Sequence, residues 1–88
     1  MLFMGILSYD PAKRSELVKR RIEKGAITNA KIIGEWGAIG GGRIFRVLET
    51  DDPKVMLMAA AAWGDLGSLE LIPIMQTEES VKILASMK

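Results

Sequence analysis

The segment from Leu2 to Tyr9 is apolar on both alternating sets of positions, with Leu2, Met4 and Ile6 on one side and Phe3, Gly5 and Leu7 on the other. A strand-forming run of this kind reads as a β-strand covered on both faces. It stops at Asp10-Pro11, where a carboxylate can cap free N–H groups and proline suits a first helical turn. The spacing that follows predicts a helix from Pro11 to about Lys24, with Leu17, Val18 and Ile22 as its buried stripe. Gly25 fits the left-handed residue that closes it.

Two strand-like runs, Lys31 to Ala38 and Arg43 to Thr50, flank Ile39-Gly40-Gly41-Gly42, a hairpin whose turn needs positive φ. Asp51-Asp52-Pro53 repeats the helix-start signal and predicts a second helix from Pro53 to about Trp63, ended by Gly64 and Gly67. Leu69 to Met75 supplies a last strand, in which Pro73 is easiest to place on a sheet edge. Thr77 can then cap a C-terminal helix running to about Met87. The order β-α-β-β-α-β-α predicts one α+β domain over residues 1–88. It is a ferredoxin-like βαββαβ unit plus a C-terminal helix, with a four-stranded antiparallel sheet.

Both main helices then lie on one face of that sheet, and nothing in the chain covers the other. Since the first strand is apolar on both sides, a second copy of the same sheet is the simplest cover, which predicts a homodimer. Val55 to Trp63 has no polar face at all. Alanines tolerate exposure in a helix, so this pattern is compatible with a plain surface helix. The sharper reading covers the 53–63 helix on two sides, by the C-terminal helix or by a neighbouring subunit in a higher homo-oligomer.

Composition narrows the chemistry. Hydrophobic residues make up 49% of the 88 positions, generous for a chain that buries only about 60–65% of its unfolded surface. There is neither cysteine nor histidine, which removes disulfides, thiolate and imidazole metal sites, histidine-ligated haem and histidine acid–base catalysis. No cofactor is called for. Carboxylates, Tyr9, lysines and arginines are the remaining chemical actors. The net charge of +1 argues against a nucleic-acid partner, although Asp10 to Gly25 carries six basic residues against three acidic ones. Such a run is normally a solvated helix face. The apolar start lacks a basic leader and no apolar run approaches the ~20 residues of a membrane span, so a cytoplasmic location without membrane contact is expected.

The triple glycine leads into a strand rather than a helix N-terminus, so it is a turn and not a phosphate loop. Candidate ligand-binding residues are Tyr9, Glu35, Trp36, Arg43, Arg46, Glu49 and Glu70. On the hairpin, alternation puts Arg43, Phe45, Val47 and Glu49 on one face, and Ile44, Arg46, Leu48 and Thr50 on the other. Which face lines a cavity is open at this level. Charges midway along a strand either sit in solvent or structural pairs, or line a polar site where they orient a ligand. Trp36 would serve as an aromatic wall, and the Tyr9 phenol either meets a ligand or a nearby carbonyl. Trp63 reads as packing at a helix end.

The Met1-Leu2-Phe3-Met4 start, Gly34-Glu35-Trp36, the run from Gly42 to Pro53, Trp63-Gly64-Asp65-Leu66 and Leu69-Glu70-Leu71-Ile72-Pro73 together resemble dimeric α/β-barrel proteins of the DUF3303 type. The resemblance implies two sheets packed face to face around a cavity and supplies no catalytic residues. The alanine-rich second helix departs from that pattern. Two functions are compatible with these readings. One is a small-molecule-binding or interaction dimer. The other is a cofactor-independent enzyme of monooxygenase or isomerase type, acting on an apolar or enolisable compound with Glu49 as base.

Overall fold

A computed structural model describes residues 1–87. In chain order the elements are β1 (Leu2–Tyr9), a 3₁₀ turn (Pro11–Lys13), α1 (Arg14–Lys24), β2 (Lys31–Gly37) and β3 (Arg43–Glu49). They continue with α2 (Pro53–Trp63), β4 (Gly67–Ile74) and α3 (Thr77–Ser86). The four strands form one antiparallel sheet in the order β2-β3-β1-β4. This is the ferredoxin-like arrangement, with a helix after it.

Local chemistry explains the boundaries. Asp10 and Asp52 each accept a hydrogen bond from the backbone N–H two residues on, at 2.9 Å in both cases, with proline next in the chain. The first turn after Asp10 is tighter than a regular α-helix, so α1 itself starts at Arg14. Gly25 closes it at φ +70° and ψ −152°, a conformation open essentially to glycine alone. In the β2–β3 hairpin, Gly41 and Gly42 both sit at φ +84°, so two of the three turn glycines use the conformation only glycine enters cheaply. Pro73 lies on β4, an edge strand paired only with β1, where its missing N–H breaks no ladder.

The core lies between the sheet and the helix pair in two adjoining clusters. Leu7, Leu17, Trp63 and Leu66 form one, with Tyr9, Ile44 and Leu69 against it. Ala30, Leu48 and Met56 form the other, joined by Phe3, Ile32 and Leu71.

Two local expectations give way. Leu17 is buried, but Val18 and Ile22 are 46% and 78% exposed. Arg20 and Arg21 point toward Asp65, Ala62 and Glu35 instead, with Arg20 half-buried and Arg21 still exposed, so Leu17 alone of α1 is buried. At α3 the cap position is Gln76, without a side-chain cap bond, and Thr77 is the first helical residue. Nor does α3 cover α2 within the chain: Leu57 and Met58 on the outside of α2 are 71% and 64% exposed.

Candidate functional site

β2 contains an irregularity that decides what faces what. Ile32 pairs with Leu48 and Gly34 with Val47, leaving Ile33 as an extra residue. A bulge of this kind inverts the alternation beyond it. Without it, Ile32, Gly34 and Trp36 would share the helix-facing side. With it, Ile32 and Glu35 face the helices and Trp36 faces away.

Glu35 therefore stands opposite Arg46, and Arg46 opposite Gly5. Arg46 donates from Nε to Glu35 Oε2 at 2.6 Å, and Arg21 donates from Nε and Nη2 to Oε1 at 3.3 and 3.2 Å. The Ala26 carbonyl, in the loop after α1, accepts from Arg46 Nη1 at 3.3 Å and from Trp63 Nε1 at 3.2 Å. One connected network thus ties α1, its following loop, β2, β3 and α2. Among the described residues no buried side-chain nitrogen or oxygen lacks a partner. Partial burial pushes the Glu35 carboxyl up, but the hydrogen bonds and charges of Arg46 and Arg21 outweigh it and hold the group below its ordinary value.

Beside this network is a cavity of about 70 Å³, walled by Gly5, Leu7, Leu17, Ile44 and Trp63. Room of that size suits water or a fragment of a few atoms, since pockets for drug-sized molecules run to roughly 300–1,000 Å³.

The other sheet face has a different character. Across it run Trp36, Phe45, Ile6 and Glu70 in one row, and Gly34, Val47, Met4 and Ile72 in the next. None of the large apolar residues here joins either core cluster. Trp36 is 57% exposed and its ring occupies the space where a Gly34 side chain would stand. Arg43 lies over the Phe45 ring, 5.3 Å from its centre. Glu49 is opposite Leu2 on one side and Lys31 on the other.

The seven candidates accordingly divide. Glu35 and Arg46 meet beneath the helices, while Trp36, Arg43, Glu49 and Glu70 share the open face. Tyr9 packs against the first core cluster, away from both sets. Arg21 was absent from the candidates; its signal was the i, i+4 spacing from Leu17, which puts both on one face of α1. Trp63 is packing, as its place at the helix end suggested, at 5% exposure.

Fold and site together define a small ferredoxin-like α+β domain with a partly buried charged network and one apolar sheet face uncovered by its own chain. The family model described as "Domain of unknown function (DUF3303)" matches residues 1–88, and the chain belongs to that family. No curated protein matches it. Among the described residues, no helix is long and apolar enough to cross a membrane.

Proposed function

We propose that the protein is a cytoplasmic homodimeric binding module of the α/β-barrel type, in which two copies pair through their open sheet faces and hold a small apolar molecule between them. The observation that carries this reading is the uncovered patch of Met4, Ile6, Trp36, Phe45, Val47 and Ile72. Contiguous apolar area on a soluble body marks an interaction site, and stacked sheets about 10 Å apart leave room for side chains or a flat ligand. Trp36 and Phe45 would form the apolar walls, and Arg43, Glu49 and Glu70 the polar rim that orients the ligand. Lateral contacts through Leu57 and Met58 of α2 would extend dimers into larger rings.

Cofactor-independent catalysis has less behind it. Glu35, which lines the cavity beside the ion network, is pinned by two guanidinium groups and held ionised, which makes it a weak base.

Native mass spectrometry of freshly purified protein tests both parts. The expected result is a dimer with extra bound mass, a monomer for Val47→Asp and Met4→Lys, and loss of the extra mass for Trp36→Ala. A wild-type monomer, or variants that remain dimeric, would remove the pairing. A dimer that carries no added mass, and whose Trp36 fluorescence ignores apolar compounds, would remove the ligand.

A further inference from the structure

Arg43 and Glu49 stand at the two ends of β3, with Phe45 and Val47 between them on the same open face. Both charged residues are exposed, and among the described residues neither belongs to an ion pair. Lys31 is the cross-strand neighbour of Glu49, yet no ion pair joins the two. The Arg43 guanidinium lies instead over the Phe45 ring, 5.3 Å from its centre, so a cation rests on the apolar patch without a counter-charge. In open water this costs little. Beneath a second sheet the same group loses water, and an unpaired charge taken out of solvent is strongly unfavourable. A second copy that covers this face is therefore favoured in the setting that brings a carboxylate to Arg43.

We infer that the two copies meet about a two-fold axis at right angles to their strands, so that Arg43 of each copy pairs with Glu49 of the partner subunit. The inference rests on the sheet-paired dimer proposed above. Stacked sheets related by a two-fold axis have two simple settings. With the axis along the strands, β3 lies over β1 of the second copy. Arg43 then faces the partner's Ser8, Glu49 the partner's Leu2 and Trp36 the partner's Glu70, and neither end of β3 gains an opposite charge. With the axis across the strands, each strand lies antiparallel over its own equivalent. Arg43 then faces the partner's Glu49 and Phe45 the partner's Val47. On this face β3 reads cation, aromatic, aliphatic, anion, an order that complements itself only when reversed.

The second strand of the hairpin agrees. Trp36 shares a row with Phe45, and Gly34 one with Val47, so this setting puts Trp36 over the partner's Gly34, large against small. Each Trp36 ring already occupies the space above its own Gly34. That brings the two rings to the axis as opposing walls of the ligand space, which one copy alone leaves half built. The spacing is adequate. Stacked sheets are about 10 Å apart, a gap filled by one side chain from each. The roughly 30° between aligned sheets moves the ends of β3, about 10 Å from its midpoint, sideways by about 5 Å. Long side chains reach neighbours about 7–8 Å away.

Charge reversal reads the axis. Full-length Arg43→Glu and Glu49→Arg chains are prepared separately, and sedimentation and native mass spectrometry follow their assembly. Each alone opposes like charges twice per dimer, so its self-association is expected to weaken roughly tenfold or more. Mixed one to one, the two chains are complementary at both contacts and are expected to form a dimer holding one chain of each kind, as strong as the wild type. A chain carrying both reversals restores the same pairs and is expected to dimerise alone. Single variants that self-associate like the wild type, a mixture without preference for the mixed dimer, or a double variant no stronger than either single would each overturn the inference. Sheet pairing is read separately, from the mass of Val47→Asp. A wild-type dimer lost in Val47→Asp but indifferent to both reversals keeps the pairing and removes the axis, whereas a wild-type monomer removes both.

Discussion

Gly67 begins β4 so close to the end of β1 that a side chain there would overlap the Ser8 carbonyl and the Tyr9 backbone. Backbone cannot swing aside as a side-chain tip can. Gly67→Ala is therefore expected to destabilise by about 1–3 kcal/mol, the usual cost of overpacking, seen as a lower urea midpoint. Arg20 offers a second residue-scale test. Its guanidinium donates to both Asp65 oxygens at 2.7 and 2.8 Å and to the Ala62 carbonyl at 2.8 Å, while stacking 5.6 Å from the Trp63 ring centre. The hydrogen bond from Arg20 holds the Asp65 carboxyl down at about 2, against about 3.9 in an unfolded chain. A depressed carboxylate contributes stability that is complete above the unfolded value and lost as pH falls through the folded one. Thermal melts should therefore show the wild type losing its advantage over Asp65→Asn between about pH 4 and pH 2. A constant difference across that window would mean the pair contributes nothing specific to the charged form.

At the scale of elements, α2 separates two jobs between adjacent residues. Met56 is 7% exposed in the second core cluster and Leu57 is 71% exposed. Met56→Ala should cost about 2–5 kcal/mol, as buried large-to-small changes do, and Leu57→Ala less than about 0.5 kcal/mol, both by chemical denaturation of the dilute protein. Comparable losses would show that the outer side of α2 is covered in solution. The boundaries of α2 were legible in advance because Asp52-Pro53 acts through local backbone preference. The inner face of α1 was not. Leu17, Val18 and Ile22 looked like one stripe, yet the partners that selected Arg20 and Arg21 instead lie 45 and 14 residues away in Asp65 and Glu35. The β2 bulge was equally hidden, since no residue type announces it, and it alone brings Glu35 to Arg46.

For the molecule as a whole, the open sheet face, the outer side of α2 and the apolar stripe of α3 are left uncovered by the chain itself, and the pairing experiment proposed above tests at that scale whether a second copy covers the sheet. A chain of 88 residues that is 49% hydrophobic has more apolar surface than one thin core can use. The sequence by itself determined the order of elements, both helix starts, the glycine turn and the edge position of Pro73. Each of these rests on what a few adjacent residues allow the backbone to do. It also excluded histidine and cysteine chemistry outright, because composition needs no geometry. Only the tertiary structure decided which sides of α1 and β2 turn inward, and so divided the candidate residues between a partly buried ion network and an open face. Those choices depend on groups far apart in the chain, and their energies exist only after the strands and helices have met.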